Sequence, residues 1–502
     1  WRGIPFAQPP VGDMRWRAPQ PASKWSGTLD ATEFKHNCMQ QNSSFMGWPQ
    51  PSSTMSEDCL YLNVYAPLQK PAEPKPVMLW IYGGGFQGGG ANETRLNGTW
   101  DVALMGGDLL VVTFNYRLNI LGFAASELLR ARDSQGRAGN YGILDQRIAM
   151  RWVQDNIAAF GGDPRRVFLV GESAGANSVS NHLVRPASWG LFAAAGMESG
   201  AFYTPKEPTV ADVEKDFTEL LNSFNCSDVA CLLDVPADAF PFPDMQRTKW
   251  QPVIDGVDLV DAGTVLASKG RLAQVPVLVG NNMEDIDGLP GSMNCSPDTC
   301  TEHHFRTWAG TLYNSAAADR LTALYADEVA RPGGNNTRWW WARQRAGADE
   351  FMTCPARRMA RWTTAIGQKA YRYYWTYPPK GFNGAYPKMA HHSLEQPFVF
   401  HVLSETPEQA SESNGAYHIQ PEEQGFSASV VRYWVSFAGK FAPEGDVFWP
   451  SHDEESKRAL VIGDPDGSVG SMSFEVVEGL RSAKCDFWDD QFQEQQSMVM
   501  LV

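Results

Sequence analysis

The sequence predicts an α/β protein built on a large, mostly parallel central sheet flanked by helices. Five short runs of β-branched and other apolar residues are typical of buried strands: 60–65, 77–82, 109–115, 167–170 and 275–279. Helical patterns lie between these runs. In 143–160, Leu144, Ile148 and Trp152 recur every four residues and predict a stripe that faces the core. Because strands alternate with helices, we expect right-handed crossovers and a parallel sheet.

Composition excludes several classes of protein. Of 502 residues, 43% are hydrophobic and 20% are charged, which is the balance of a globular protein. The 42 basic and 57 acidic residues give a net charge of −15, and this acidity disfavours nucleic acid or an anionic membrane as a partner. The longest apolar runs are far shorter than the roughly 18 residues that a transmembrane helix needs. Length alone would allow about three domains.

Eight cysteines and six N-glycosylation sequons favour a secreted protein. Three cysteine pairs are close in sequence and a fourth would close over a long range: Cys38–Cys59, Cys226–Cys231, Cys295–Cys300 and Cys354–Cys485. None has C-x-x-C spacing and no histidine cluster lies nearby, so zinc is disfavoured. The alternative is a cytosolic protein with eight reduced thiols. The sequons begin at Asn42, Asn92, Asn97, Asn225, Asn294 and Asn335. Because the chain opens at Trp1 without a signal peptide, we expect a mature chain whose targeting segment has been removed.

A candidate nucleophile lies in G-E-S-A-G at 171–175. An apolar strand enters this motif and a helical pattern, 177–184, leaves it. A serine on so sharp a strand-to-helix turn is lifted out of the sheet, and its place at a helix N-terminus favours negative charge. The context therefore points to Ser173 as a nucleophile, and the alternative is an ordinary glycine-rich turn.

A run of three glycines, G-G-G-F at 83–86, directly follows the strand 77–82. Bare backbone N–H groups of this kind can approach a substrate closely and stabilise the negative charge that acyl transfer builds on a carbonyl oxygen. We assign this oxyanion hole to Gly84 and Gly85, with Ala174 as the third donor. The alternative is a flexible loop, which is how we interpret the second glycine run, 88–90.

Blocks along nearly the whole chain resemble the type-B carboxylesterase/lipase family, which includes the cholinesterases. They include R-G-I-P-F-A-Q-P-P-V-G at 2–12, S-E-D-C-L-Y-L-N-V at 56–64, N-Y-R-L at 115–118, F-G-G-D-P at 160–164 and C-D-F-W at 485–488. The resemblance implies an α/β-hydrolase fold as a single catalytic domain over 1–502. It also implies hydrolysis of small-molecule carboxylic esters with no metal and no other cofactor. Two of the expected disulfides, Cys38–Cys59 and Cys354–Cys485, are at positions that the family uses.

The resemblance also assigns the base. In the family the base lies three residues before a glutamate that leads to F-V-F, which here selects His392, before Glu395 and the F-V-F at 398–400. From the residues alone, His391 and His392 remain equivalent. A lightly perturbed imidazole in this role titrates at about 6–7.

The acid is expected five residues after the glycine that ends a strand, which here selects Asp285 where the family usually has glutamate. Glu284 and Asp287 are rivals, and Asp287 is the stronger because it would share a face with Asp285 in an extended segment. Ser199 resembles a buried serine that supports the acid and base in the family. Glu172 resembles the acidic residue beside its nucleophile.

The loop between Cys38 and Cys59 bears on the substrate. It holds only 20 residues, with two prolines and no apolar face at helical spacing, whereas lipases of the family carry a long amphipathic lid here. This favours soluble or small esters over lipids. Trp48 lies near the position of a choline-binding tryptophan in cholinesterases, and the alternative is a packing or surface residue. The remaining alternatives are a triacylglycerol lipase, a cholinesterase, and a non-catalytic binding or adhesion protein on the same scaffold. The acyl chain, the alcohol and the oligomeric state are not predicted.

Overall fold

Most of the chain is described by a computed structural model. The described residues are 1–41, 54–202, 207–242, 250–285, 293–331, 337–380, 389–403, 417–465, 467 and 471–499, with the backbone alone for 44–45, 48–49 and 495–499. Asn42, Asp287, Asn335 and the Trp48 side chain, which the sequence analysis singles out, lie outside these residues.

The sheet is mostly parallel, as predicted. The strands are β1 Ile4–Pro5, β2 Asn37–Cys38, β3 Ser44–Phe45, β4 Trp48–Pro49, β5 Met55–Ser56, β6 Tyr61–Tyr65, β7 Lys75–Ile81, β8 Leu110–Phe114, β9 Gly162–Glu172, β10 Ala194–Glu198, β11 Val277–Asn282, β12 Ala370–Trp375, β13 Ala459–Ile462 and β14 Phe474–Val477. Within the described residues, a ten-stranded sheet has the order β1-β6-β8-β7-β9-β10-β11-β12-β13-β14. Its strands run parallel from β8 to β13 and antiparallel only at the two edges. The remaining strands form two small pairs, β2 with β5 and β3 with β4.

Helices cover both faces of the sheet. They are α1 Thr99–Leu104, α2 Asn119–Phe123, α3 Glu127–Arg130, α4 Tyr141–Asn156, α5 Ala174–Leu183, α6 Val210–Ser223, α7 Val229–Leu233, α8 Gly263–Ser268, α9 Glu302–Leu312, α10 Ser315–Leu324, α11 Arg338–Ala348, α12 Cys354–Ala365, α13 Gln396–Val399, α14 Gln424–Lys440 and α15 Ser482–Val499. Phe168 of β9 packs against Phe437 of α14. Met197 of β10, which points to the other face because it pairs with Gly171, contacts Ser180 of α5. The two helices therefore lie on opposite sides, which is the α/β-hydrolase arrangement. Within the described part of the chain, every helix is too short or too polar to cross a membrane.

All five predicted strands are present, with shifted ends. The largest difference is in β9, which starts at Gly162 and not at Val167. The first residues of β9 are mostly polar, so a hydrophobicity pattern does not predict them as strand. Gly162 nevertheless pairs with Lys75 at the beginning of β7. The backbone pairing with β7 therefore extends the strand beyond its apolar run.

The predicted stripe on α4 is displaced. Leu144 is buried, but Ile148 and Trp152 are only partly buried. The fully buried apolar side chains of this helix are Ile143, Ala149, Met150 and Val153. Because a helix has 3.6 residues per turn, a strict four-residue spacing drifts around its surface and leaves the core-facing side within two turns.

The four predicted disulfides are formed, and within the described residues no cysteine is free. The longest-range bond, Cys354–Cys485, joins α12 to α15 over a separation of 131 residues. It lies in an apolar cluster together with Trp341, Phe487 and Trp488. This cross-link therefore closes the C-terminal part of the sheet, β12 to β14, into one loop of the chain.

We expect the Cys354→Ala/Cys485→Ala double variant to lose far more stability than Cys226→Ala/Cys231→Ala. A cross-link restricts the unfolded chain more when it closes a longer loop, so the expected losses are about 5 and about 2 kcal/mol. The separations are 131 and 5 residues. Urea denaturation midpoints of the two variants and the parent protein measure the difference. Equal midpoints in the two variants would show that loop closure does not set the contribution.

Candidate active site

Ser173 occupies a strained turn between β9 and α5. Its φ is 58°, in the left-handed region that non-glycine residues rarely adopt. A Cβ on Gly171 would lie 2.5 Å from the carbonyl oxygen of Ile81, and one on Gly175 would lie 2.0 Å from the same atom. Both glycines are therefore required because the end of β7 packs directly against the turn. Ser173 is partly exposed, whereas its neighbours Glu172 and Ala174 are buried.

The glycine run 83–85 leaves β7 and passes over this turn. A Cβ on Gly83 would lie 2.8 Å from the Cβ of Ser173. Gly84 and Gly85 have φ of 116° and 59°, so both use backbone conformations that favour glycine. The Gly84 carbonyl accepts hydrogen bonds from the backbone N–H groups of Gln87 and Gly88, which fix the loop. The glycine run thus lies against the predicted nucleophile at Gly83, directly before the predicted oxyanion-hole residues Gly84 and Gly85.

His392 meets Asp285 at the carboxyl ends of the parallel strands. Its Nδ1 lies 2.6 Å from Asp285 Oδ1, and the second carboxylate oxygen accepts from the Asn282 N–H at 2.8 Å. The neighbouring His391 instead directs its Nδ1 toward the carbonyl of His392 at 3.0 Å. The geometry therefore separates the two histidines, which the residues alone do not.

Glu284 is engaged elsewhere. Its carboxylate binds the guanidinium groups of Arg331 and Arg345, at 2.7 and 3.0 Å, and all three side chains are buried. It also accepts from the backbone N–H of Ala390, just ahead of the histidine pair. The two arginines hold the pKa of Glu284 below its usual value against the opposing effect of burial. Glu284 therefore anchors the strand end that carries Asp285.

Glu172 lies on the other side of the His392 ring. Its Oε1 is 3.3 Å from His392 Nε2 and accepts a hydrogen bond from the Ser393 hydroxyl at 2.6 Å. Glu172 directly precedes Ser173 in the chain, so this contact brings His392 next to the turn that carries Ser173. Ser199, the expected supporting serine, donates its backbone N–H to Gly280, and its hydroxyl has no partner among the described residues. Its supporting role stays a prediction.

The two flanking carboxylates change the titration of His392. Burial lowers its pKa, but the charge of Glu172 and the hydrogen bond and charge of Asp285 outweigh burial and raise the pKa to about 10. The sequence-based value of 6–7 is therefore too low. The sequence could not reveal this, because Glu172 approaches Nε2 only through the fold.

Two buried carboxyl groups around the site, Glu395 and Glu198, were given no role by the sequence analysis. Glu395 accepts from the side-chain amide of Asn282, and Glu198, at the end of β10, accepts from the Trp434 indole at 2.6 Å. Glu198 forms part of E-S-G at 198–200, and Glu395 served only to locate His392. The signal available in the sequence was the position of these two acidic residues, one directly before Ser199 and one three residues after His392.

The model of the carboxylesterase family matches residues 1–488. The chain belongs to the carboxylesterase family. This agrees with the resemblance found in the sequence, and it supports hydrolysis of a carboxylic ester. Within the described residues, no group of three or more histidine, cysteine or acidic side chains is arranged to hold a metal ion.

We expect the pH dependence of kcat/KM for ester hydrolysis to have its acid limb centred above 6.5, with the rate still rising at alkaline pH. A raised pKa keeps His392 protonated at neutral pH, and only the neutral imidazole accepts a proton. Glu172→Gln removes a charge 3.3 Å from Nε2 and should move the midpoint down by about one pH unit.

Glu207→Gln is the matched control, since Glu207 is also a buried carboxyl but binds the Gly263 N–H in another part of the chain. It should leave the midpoint in place. A midpoint near 6.5 that Glu172→Gln does not move would contradict the assignment of a charged Glu172 beside the base.

Proposed function

We propose that this protein is a secreted serine carboxylesterase that works through a Ser173–His392–Asp285 triad and an acyl-enzyme intermediate. The observation that carries the proposal is the His392–Asp285 contact of 2.6 Å beside the strained turn of Ser173. The order Ser, acid, His along the chain is that of α/β-hydrolases. Residues 1–502 act as one catalytic domain in this proposal.

Each step follows from the groups in place. His392 takes the proton from the Ser173 hydroxyl through Nε2, and the oxygen attacks the ester carbonyl. Asp285 holds Nδ1 protonated and stabilises the imidazolium that forms. The N–H groups of Gly84, Gly85 and Ala174 stabilise the oxyanion, at about 3–4 kcal/mol for a donor of this kind. His392 then returns the proton to the leaving alcohol, and water releases the acyl group by the same route.

Small or soluble esters are the proposed substrates. The described backbone of the Cys38–Cys59 loop contains short strands, β3, β4 and β5, in place of a long amphipathic helix. The triacylglycerol lipase alternative therefore has less support, whereas this loop does not bear on the cholinesterase alternative. Retention of Ser173 and of the His392–Asp285 contact also disfavours a non-catalytic binding protein.

Secretion is proposed from the four disulfides, which persist in oxidising compartments. Two of the sequon asparagines, Asn225 and Asn294, are exposed and are the best candidates for glycosylation. Asn92 and Asn97 are partly buried.

Ser173→Ala should lower kcat on p-nitrophenyl butyrate by at least about 10⁴-fold with no loss of folded protein, because the triad acts as a unit. An organophosphate should label Ser173 in the parent protein, and peptide mass spectrometry locates the adduct. Ser180→Ala is the matched control, since Ser180 is a buried serine on α5 outside the proposed triad, and it should keep kcat near that of the parent protein. Near-normal turnover by folded Ser173→Ala would overturn the proposed function.

Asp285→Asn should lower kcat by about 10⁴-fold at pH 8, because the amide cannot hold His392 in the required tautomer. Glu284→Gln should instead lower the unfolding midpoint, since it weakens the contacts with two buried arginines. Turnover and thermal unfolding of both variants distinguish the two roles. If Asp287→Asn alone abolished turnover, Asp287 and not Asp285 would be the acid.

A further inference from the structure

A row of side chains crosses four strands next to His392. Glu172 of β9 pairs with Glu198 of β10, Glu198 pairs with Gly280 of β11, and Gly280 pairs with Tyr373 of β12. Residues paired across parallel strands point to the same face. A Cβ on Gly280 would lie 2.3 Å from the Tyr373 ring, so the glycine leaves the space that this ring uses. Glu172, Glu198 and Tyr373 therefore share one face, which α14 covers.

A further carboxyl group enters this face from the segment that carries the base. Glu395 directly precedes α13, and its Oε2 accepts from the side-chain amide of Asn282. Asn282 lies two residues after Gly280 on β11 and therefore points to the same face. Among the charged groups around Glu198, Glu395 acts on it most strongly. The two carboxyls thus form a neighbouring pair, which we call the Glu198–Glu395 pair.

Both carboxyl groups of the pair are buried, and each has one oxygen without a hydrogen-bond donor among the described residues. Glu198 and Glu395 are both 0% exposed. Glu198 Oε1 accepts from the Trp434 indole N–H at 2.6 Å. Within the described residues, Glu198 Oε2 and Glu395 Oε1 have no hydrogen-bond partner. A buried carboxylate with one free oxygen is costly in its charged form.

The titratable and charged groups around Glu198 are mainly acidic. Glu172 faces it from β9 and Glu395 from the start of α13, and Tyr373 faces it from β12. β11 contributes the neutral Gly280 and Asn282, and α14 contributes the neutral Trp434. Asp285 adds a further negative charge to the cluster, where His392 is the group that can become positive. Arg95 acts on Glu172 from a distance and is itself paired with Glu93.

We propose that Glu198 keeps its proton while the enzyme works and shares it with Glu395, so that the pair carries at most one negative charge behind His392. Glu198 then acts on His392 only indirectly, by limiting the negative charge of the pair, and touches no substrate. Neighbouring carboxyls that cannot both ionise are a known consequence of like charge at short range. The effect of the pair on His392 as a base rests on the proposed function, whereas the protonation of Glu198 does not.

The direction of titration within the pair supports this assignment. Burial and the neighbouring carboxylates raise the pKa of Glu395 to about 8, and burial and Glu395 raise the pKa of Glu198 well above its usual range. Glu395 acts on His392, the group that can become positive, whereas Glu198 faces only acidic and neutral groups, so Glu198 is the member that stays protonated. Because a charged Glu395 stabilises the imidazolium, a doubly charged pair would hold His392 in its inactive form to a higher pH.

Infrared difference spectra at pH 9 test the protonated acid directly, without substrate. The carbonyl stretch of a protonated carboxylic acid should be lost in Glu198→Gln relative to the parent protein. Asp101→Asn is the control for detection, since Asp101 is fully buried, both its carboxylate oxygens lack a partner among the described residues, and its pKa is well raised. If Asp101→Asn loses such a band and Glu198→Gln loses none, the proposal is wrong.

The pH dependence of kcat/KM provides the second readout. Glu395→Gln removes a group that ionises, so the acid-limb midpoint should fall, by about one pH unit. Glu198→Gln replaces one neutral group by another and should leave the midpoint within 0.2 units, as should Asp101→Asn. A fall in Glu198→Gln as large as that in Glu395→Gln would show that Glu198 is charged. If the protein proved not to be an esterase, the infrared result would still decide the protonation of Glu198.

Discussion

The site depends on one close backbone contact, the approach of the Ile81 carbonyl to the turn around Ser173. Gly171 and Gly175 leave room for that oxygen, and Gly83 does the same on the other side of the turn. Because β7 and β9 pair along most of their length, the position of the contact is fixed by the sheet register and not by side-chain packing. The nucleophile turn and the adjacent glycine loop therefore share one rigid support.

On this support the chain gathers several acidic groups around a single imidazole. Asp285 and Glu172 contact its two ring nitrogens, Glu395 adds a further charge nearby, and Glu198 pairs with Glu172 across the sheet. Such an arrangement favours the positive imidazolium of His392, both in the transition state of the proposed mechanism and in the protein at rest. The neutral fraction of His392 then depends on the number of these carboxyls that keep their protons. Protonation therefore determines the properties of the site as much as geometry does.

The sequence was sufficient for the parts of this protein that local patterns encode. The apolar runs located β6, β7, β8, β9 and β11 but not β10, β12 or β13, and the glycine pattern around Ser173 required a sharp turn. The residues alone left His391 and His392 equivalent, because their separation depends on how the segment meets the end of β11. The polar start of β9 and the role of Glu284 were also hidden, since one depends on pairing with Lys75 and the other on two arginines far along the chain. The contact between Glu172 and His392 joins positions 220 residues apart, and no local pattern reports it.

The Cys354–Cys485 cross-link has a consequence for proteolysis. His392, α14 and the last strands of the sheet all lie in the 131-residue span that it closes. A protease that cuts the chain once within this span leaves two fragments that are still covalently joined. The fragment with His392 cannot diffuse away from the fragment with Ser173, so a nicked molecule can retain its assembled candidate site as long as the disulfide stays oxidised. In an extracellular setting rich in proteases, survival of a cut would then depend on redox conditions as well as on fold stability.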